Sequence, residues 1–229
     1  VPISHERRFI FIHIPKTAGV AVLTALQEHG RLDFMGRDVW PRFFGSPRGV
    51  ESYRQLRGLF GLNSMVHFQE QHFPATVLRE FVPEDTWSSY FKFAFVRNPW
   101  DLVASTFHFS KQMFRQDVTA AAGDPDIGYL IASLDFPNYV RARPYFASQN
   151  GLLPFITDEA GKLLVDFVGR VEHIDEDFAH ICRQIGIEAK LERVNDSPRA
   201  HYREFYTPQT RELVAREFAR EIEMFGYEF

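Results

Sequence analysis

The run Ile12-His13-Ile14-Pro15-Lys16-Thr17-Ala18-Gly19 places a lysine, a hydroxyl and a glycine directly behind a short apolar stretch. At a strand-to-helix turn, successive backbone N–H groups cradle an anion and a lysine adds a mobile positive charge. In physical terms this is a phosphate loop. It lacks the spacing of four residues between two glycines before Lys-Ser/Thr, which disfavours an ordinary ATPase or GTPase loop. A second pair, Arg97 and Ser105, stands eight residues apart. A guanidinium fork at a strand exit and a hydroxyl two helical turns later can converge on one phosphate. The plain alternatives are a surface lysine in a turn, an Arg97 paired with a carboxylate, and a Ser105 on a helix surface.

Elements must hold these groups in place. Residues 8–14 read as a strand that Pro15 ends, and Val22, Leu23 and Leu26 follow at helical spacing. Lys16, Thr17, Ala18 and Gly19 therefore fall at a strand exit, where open α/β sheets place ligands. Residues 90–96 read as a second buried strand. Asn98 is suited to cap the next helix, Pro99 to its first turn and Asp101 to its positive end, with the helix running to about residue 111. Helices are predicted over 75–81, from Asp175 as cap to Ile185 with Gly186 ending it, and from Thr207-Pro208 onward with Val214, Phe218, Ile222 and Phe225 on one face. Residues 163–168 are a third strand candidate. Residues 30–61 form an irregular excursion, 116–125 a loop or short helical insertion, and 126–145 divides between helix and loop; with 112–150, the first of these is the acceptor-side region. The predicted fold class is α/β, a central mainly parallel sheet flanked by helices, in a single domain covering 1–229.

Bulk composition narrows the classes of function. With 229 residues and 45% hydrophobic content, the chain can bury a substantial core. A net charge of -4 gives no global attraction for nucleic acid or an acidic membrane surface, so an anion site must be built locally. No stretch approaches the roughly 18 to 20 apolar residues of a bilayer span. The single cysteine, Cys182, lies between Ile181 and Ile185 and reads as a helix-core thiol. It excludes an intramolecular disulfide framework and fits a reducing, cytoplasmic compartment; a leader or anchor removed from the N-terminus would shift that expectation to a lumen.

The Pro-Lys-Thr-Ala-Gly wording resembles the phosphosulfate-binding loop of the sulfotransferase superfamily, and its carbohydrate sulfotransferase branch in particular. The segment Phe93-Ala94-Phe95-Val96-Arg97-Asn98-Pro99-Trp100-Asp101, continuing to Ser105, is similar to that family's site for the donor's 3′-phosphate. The resemblance implies a P-loop-like sulfotransferase fold and 3′-phosphoadenosine 5′-phosphosulfate as donor, with no metal. Lys16 would stabilise charge near the breaking bond, and Pro15, Thr17, Ala18, Gly19 and Val20 would line the same group. Val20 departs from the family's usual threonine or serine, and Leu102 stands where an arginine is common. Further blocks at Gln149, at residues 164–172 and from Tyr206-Thr207-Pro208 to Phe225-Gly226-Tyr227 extend the likeness over nearly the whole chain. Gln149 and Arg203 join the donor-binding candidates, Arg203 with a surface role as its alternative, and Arg170 with Glu172 reads as a structural ion pair.

Sulfuryl transfer needs a group to take the acceptor's hydroxyl proton, and histidine titrates in the right range. His72 precedes the 75–81 helix, in an order that resembles the family's base-bearing segment. His67 and Glu70 are the competitors. His13, inside the first strand, reads as a packed or hydrogen-bonded residue, and His108 lies on the helix after Arg97. The branch resembled favours a carbohydrate hydroxyl as acceptor. Trp40, Phe43, Phe44 and Tyr53 could wall such a site, with Arg37, Arg42 and Arg48 drawing an acidic sugar. A nucleotide-dependent small-molecule kinase, which would want a magnesium-binding carboxylate beside a standard loop, and a non-catalytic adenosine bisphosphate-binding protein are the competing functions.

Overall fold

The computed structural model describes residues 1–34, 72–116, 133–142, 151–192 and 200–229. Its elements fall into two compact units. The first contains a five-stranded sheet: β1 (Pro2–Ser4), β2 (Phe9–Ile12), β3 (Asp33–Phe34), β4 (Phe91–Val96) and β5 (Phe167–Arg170), in the order β3-β1-β2-β4-β5. With it go helices α1 (Gly19–Gln27), α2 (Ala75–Phe81) and α3 (Glu84–Ser89). The second holds α4 (Pro99–Gln116) and α5 (Phe136–Ala142). Helix α6 (Ile174–Ile185) belongs to the first unit, and α7 (Pro208–Glu217) and α8 (Ala219–Phe225) to the second.

The sheet is mixed, which corrects the expectation of a mainly parallel, P-loop-like sheet. β2 pairs with β4, and β4 with β5, in parallel, but β1 runs antiparallel to both β2 and β3. The cause is the length of the connection. Only residues 5–8 separate β1 from β2, with Arg8 left-handed at φ 54; so short a link reverses the chain, whereas a parallel pairing needs a crossover of a dozen or more residues. β1 and β3 span three and two residues, too few for a period-2 pattern to be read from sequence.

β2 is buried along its whole length, as its unbroken apolar run requires. Phe9, Phe11, Phe93 and Phe95 alternate onto one face and pack with Val22, Leu23 and Leu26 of α1 and Phe178, Ile181, Cys182 and Ile185 of α6. The Phe11 and Phe93 rings stack at 5.0 Å. Each such side chain contributes about 1.5–3 kcal/mol by leaving water. Cys182 is the core thiol expected, with burial pushing its pKa up. Under the start of β4, the buried Lys92 ammonium is held 2.8 Å from Asp166 and donates to the Trp87 and Tyr90 carbonyls.

Helix α2 lies where the apolar stripe puts it, and α6 ends at a left-handed Gly186. Three expectations shift. The third strand is β5, not 163–168: Leu163 makes only an isolated bridge to Thr157 and is 40% exposed. Asp175 lies inside the first turn of α6 beside Glu176 and Asp177, favourable to the helix dipole, and His173 holds the cap position. The final helix divides at Phe218 into α7 and α8, though Val214, Phe218 and Phe225 are all buried.

In the second unit, Asn98 Oδ1 accepts the N–H groups of Trp100 and Asp101 at 3.1 and 3.4 Å, capping α4 as expected. Phe107 meets Phe136 and Tyr139 edge-on at 5.3 and 5.1 Å. Thr207 and Thr210 form a capping box at the Pro208 start of α7. Among the described residues, no helix is long and apolar enough to cross a membrane.

Candidate functional site

The chain leaves β2 at Ile12 and enters α1 at Gly19, and the six residues between form the predicted anion loop. The backbone sign alternates there: φ is 65 at Lys16, negative at Thr17 and 61 at Ala18. Alternation of this kind turns successive N–H groups toward one side and forms a concave anion nest. Non-glycine residues in left-handed backbone cost on the order of 1–3 kcal/mol each and cluster at functional loops. Ala18 caps α1 without a side-chain hydrogen bond, and the first turn carries no acidic residue, so the positive end of the helix is not compensated by its own sequence.

The loop's floor is rigid. Thr17 is fully buried, and its Oγ1 donates to the Ile14 carbonyl at 2.9 Å. Pro15 is buried, Lys16 and Ala18 are half-buried, and Val20 is 54% exposed at the second position of α1. Gly19 has no room for a side chain, since a Cβ would collide with the His13 imidazole. This is the reason for glycine at the helix start.

His72 arrives from another part of the sequence, just before α2, and is buried. Its Nδ1 is 2.7 Å from the His13 carbonyl. A carbonyl only accepts, so Nδ1 carries the proton and Nε2 of the neutral ring carries the lone pair. The two imidazoles lie 4.2 Å apart by centroids, tilted by 52°. Burial lowers the His72 pKa to about 3, against the raising effect of its bond to His13. Burial, with His72 as neighbour, also holds His13 well below the usual histidine range. The Nδ1 of His13 is buried with no hydrogen-bond partner among the described residues.

Arg97 follows β4 directly and is the first residue of this stretch in the second unit. Its Nε and Nη2 both donate to Asp101 Oδ2, at 2.8 and 2.7 Å. The carboxylate pairing weighed as an alternative is thus present, with Asp101 placed for it by the i, i+4 spacing. Ser105 is half-buried one turn beyond Asp101 on the same side of α4. Leu102, where the resemblance would place an arginine, is buried. Arg203 is exposed, with Nη2 donating to the Phe229 carbonyl at 2.7 Å and the guanidinium over the Tyr202 and Phe229 rings. Arg170 donates its backbone N–H to Asp177 at 2.7 Å.

The structure thus joins Lys16, Thr17, Ala18, Gly19 and His72 through His13 in the first unit, and Arg97, Asp101 and Ser105 along one helix start in the second. His67, Glu70 and Gln149, the aromatic and arginine candidates at 37–53, and much of both excursions lie outside the described residues. His13, expected as a packed or hydrogen-bonded residue, is buried and bonded through its carbonyl to His72; its sequence signal is a histidine in an otherwise apolar run.

No family model matches the chain. An uncharacterized protein of Archaeoglobus fulgidus is 26% identical over 131 residues, which cover 57% of this chain and 97% of that protein.

Proposed function

We propose that this chain transfers a sulfuryl group from 3′-phosphoadenosine 5′-phosphosulfate to an acceptor hydroxyl, with a carbohydrate as the acceptor class. The observation that carries the reading is the β2–α1 loop: two left-handed residues, one of them Lys16, at an uncapped helix start. That geometry suits a phosphosulfate anion, and the Pro-Lys-Thr-Ala-Gly wording adds the family resemblance. The buried thiol of Cys182 fits a reducing, cytoplasmic setting.

In the proposed reaction the acceptor oxygen forms a bond to sulfur as the bond from sulfur to the 5′-phosphate oxygen breaks. The electron pair stays on that phosphate, beside Lys16. The acceptor's proton goes to Nε2 of His72. Arg97 and Ser105 hold the 3′-phosphate in this scheme, Arg97 through guanidinium N–H groups other than the Nε–Nη2 pair that Asp101 takes. Positioning and charge stabilisation account for most of the rate in related group transfers.

A base with a pKa near 3 accepts protons poorly, and the donor's negative charge acts in the opposite direction. The His13 ring lies against both the Gly19 position and the His72 ring. Each negative charge brought to the loop favours the imidazolium. In this scheme donor binding raises the basicity of His72.

The test is release of adenosine 3′,5′-bisphosphate from the donor across a panel of sugars, for the original chain, His72→Ala and Lys16→Ala. Turnover with one sugar class, lost in both variants, is expected. Tight binding of the bisphosphate without turnover on any hydroxyl would replace the enzyme with a non-catalytic binder.

A further inference from the structure

His13 touches both halves of the machinery that the proposed reaction uses. Its carbonyl accepts the Nδ1–H of His72 at 2.7 Å, and its ring lies 4.2 Å from the His72 ring by centroids. On another side, the same ring fills the space that a side chain at Gly19 would need, at the first residue of α1. The ring is anchored from the sheet by stacking on Phe11 at 5.4 Å and 22°. It is 4% exposed, and its Nδ1 has no hydrogen-bond partner among the described residues. Buried polar atoms are nearly always satisfied. What the position supplies is a flat ring wedged between the Gly19 backbone and the His72 ring, and a carbonyl bonded to His72.

We propose that His13 is a positioning residue: it fixes His72 in the Nδ1–H form and transmits occupancy of the anion loop from Gly19 to the His72 ring. Interiors are close-packed and pass small displacements on to their neighbours. The contacts run without a gap from the α1 start through one imidazole to the other. Hydrogen-bond partners that fix the ring nitrogen of a functional histidine act in this way at metal sites, where their loss typically costs about 10- to 100-fold in function. The inference rests on the proposed function for the nature of the anion, and stands apart from it in the geometry.

Nitrogen-15 spectra of the histidine side chains in the full chain test it, with adenosine 3′,5′-bisphosphate as probe. His72 is expected as the Nδ1–H tautomer, and its ring signals should move together with the Gly19 amide over the titration, at one apparent Kd. His13→Phe keeps the ring shape and should keep that single tautomer, whereas His13→Ala should show a mixture. A His72 in the Nε2–H form overturns the proposal, as does a Gly19 amide that shifts while His72 stays still. If the bisphosphate moves neither signal, the donor assignment fails, and the contrast of His13→Phe with His13→Ala decides the positioning role by itself: identical His72 tautomers in both would overturn it.

Discussion

Two helix starts follow two neighbouring parallel strands, and they are finished in opposite ways. After β4, Asn98 caps α4 with its Oδ1, its Nδ2 donates to the Glu228 carbonyl at 2.8 Å, and Asp101 takes two N–H groups of Arg97. After β2, Ala18 gives α1 no side-chain cap, Lys16 and Ala18 are held left-handed, and His13 Nδ1 is buried with no partner among the described residues. The first arrangement is satisfied by its own residues. The second stores strain and unmet polarity at one place, which is how a site that meets its partner only on binding is built.

Acid should expose the difference most strongly. His13 and His72 are both held neutral when folded, their pKa values lowered by burial, and both take protons in the unfolded chain below about pH 6.5. Stability contributed by their neutrality is fully present above that value and is lost as pH falls below it, for His72 down to about 3. The expected slope is on the order of 1.4 kcal/mol per pH unit for each histidine. Urea unfolding followed at several pH values checks this, and His13→Phe should remove one histidine's share. An unchanged slope in that variant would mean the pair is not buried neutral.

At the satisfied start, Asn98→Ala removes both a cap and the bond to Glu228. A loss of about 1–2 kcal/mol is expected from denaturant midpoints. At the strained start, Ala18→Gly should work in the other direction, raising stability by up to about 1 kcal/mol, because glycine accepts the left-handed backbone that alanine resists. If Ala18→Gly destabilises the chain instead, the loop is not strained there and the contrast between the two starts weakens.

Much of this contrast was legible in the residues. Asn98, Pro99 and Asp101 announce the α4 start through capping chemistry that acts within one turn, and Val22, Leu23 and Leu26 mark α1 by their spacing. The hand of the sheet was not legible, because it depends on β1 and β3, which are too short to carry a pattern, and on a tight reversal at Arg8. Nor was the meeting of His72 with His13, separated by 59 positions, since nothing local in either segment encodes it. Arg97's partner could have been found from its i, i+4 spacing to Asp101; the left-handed turn at Lys16 could not, as lysine has no preference for it.

The most direct test of the donor loop is calorimetric titration of adenosine 3′,5′-bisphosphate into the original chain and into Lys16→Gly. Glycine adopts φ 65 without strain, so this variant removes the charge and keeps the fold. A charge-assisted contact of about 1.5–3 kcal/mol predicts affinity about 10- to 100-fold weaker in the variant. Equal affinity in the two chains, or no binding by the original in a buffer without phosphate or sulfate, would contradict the account.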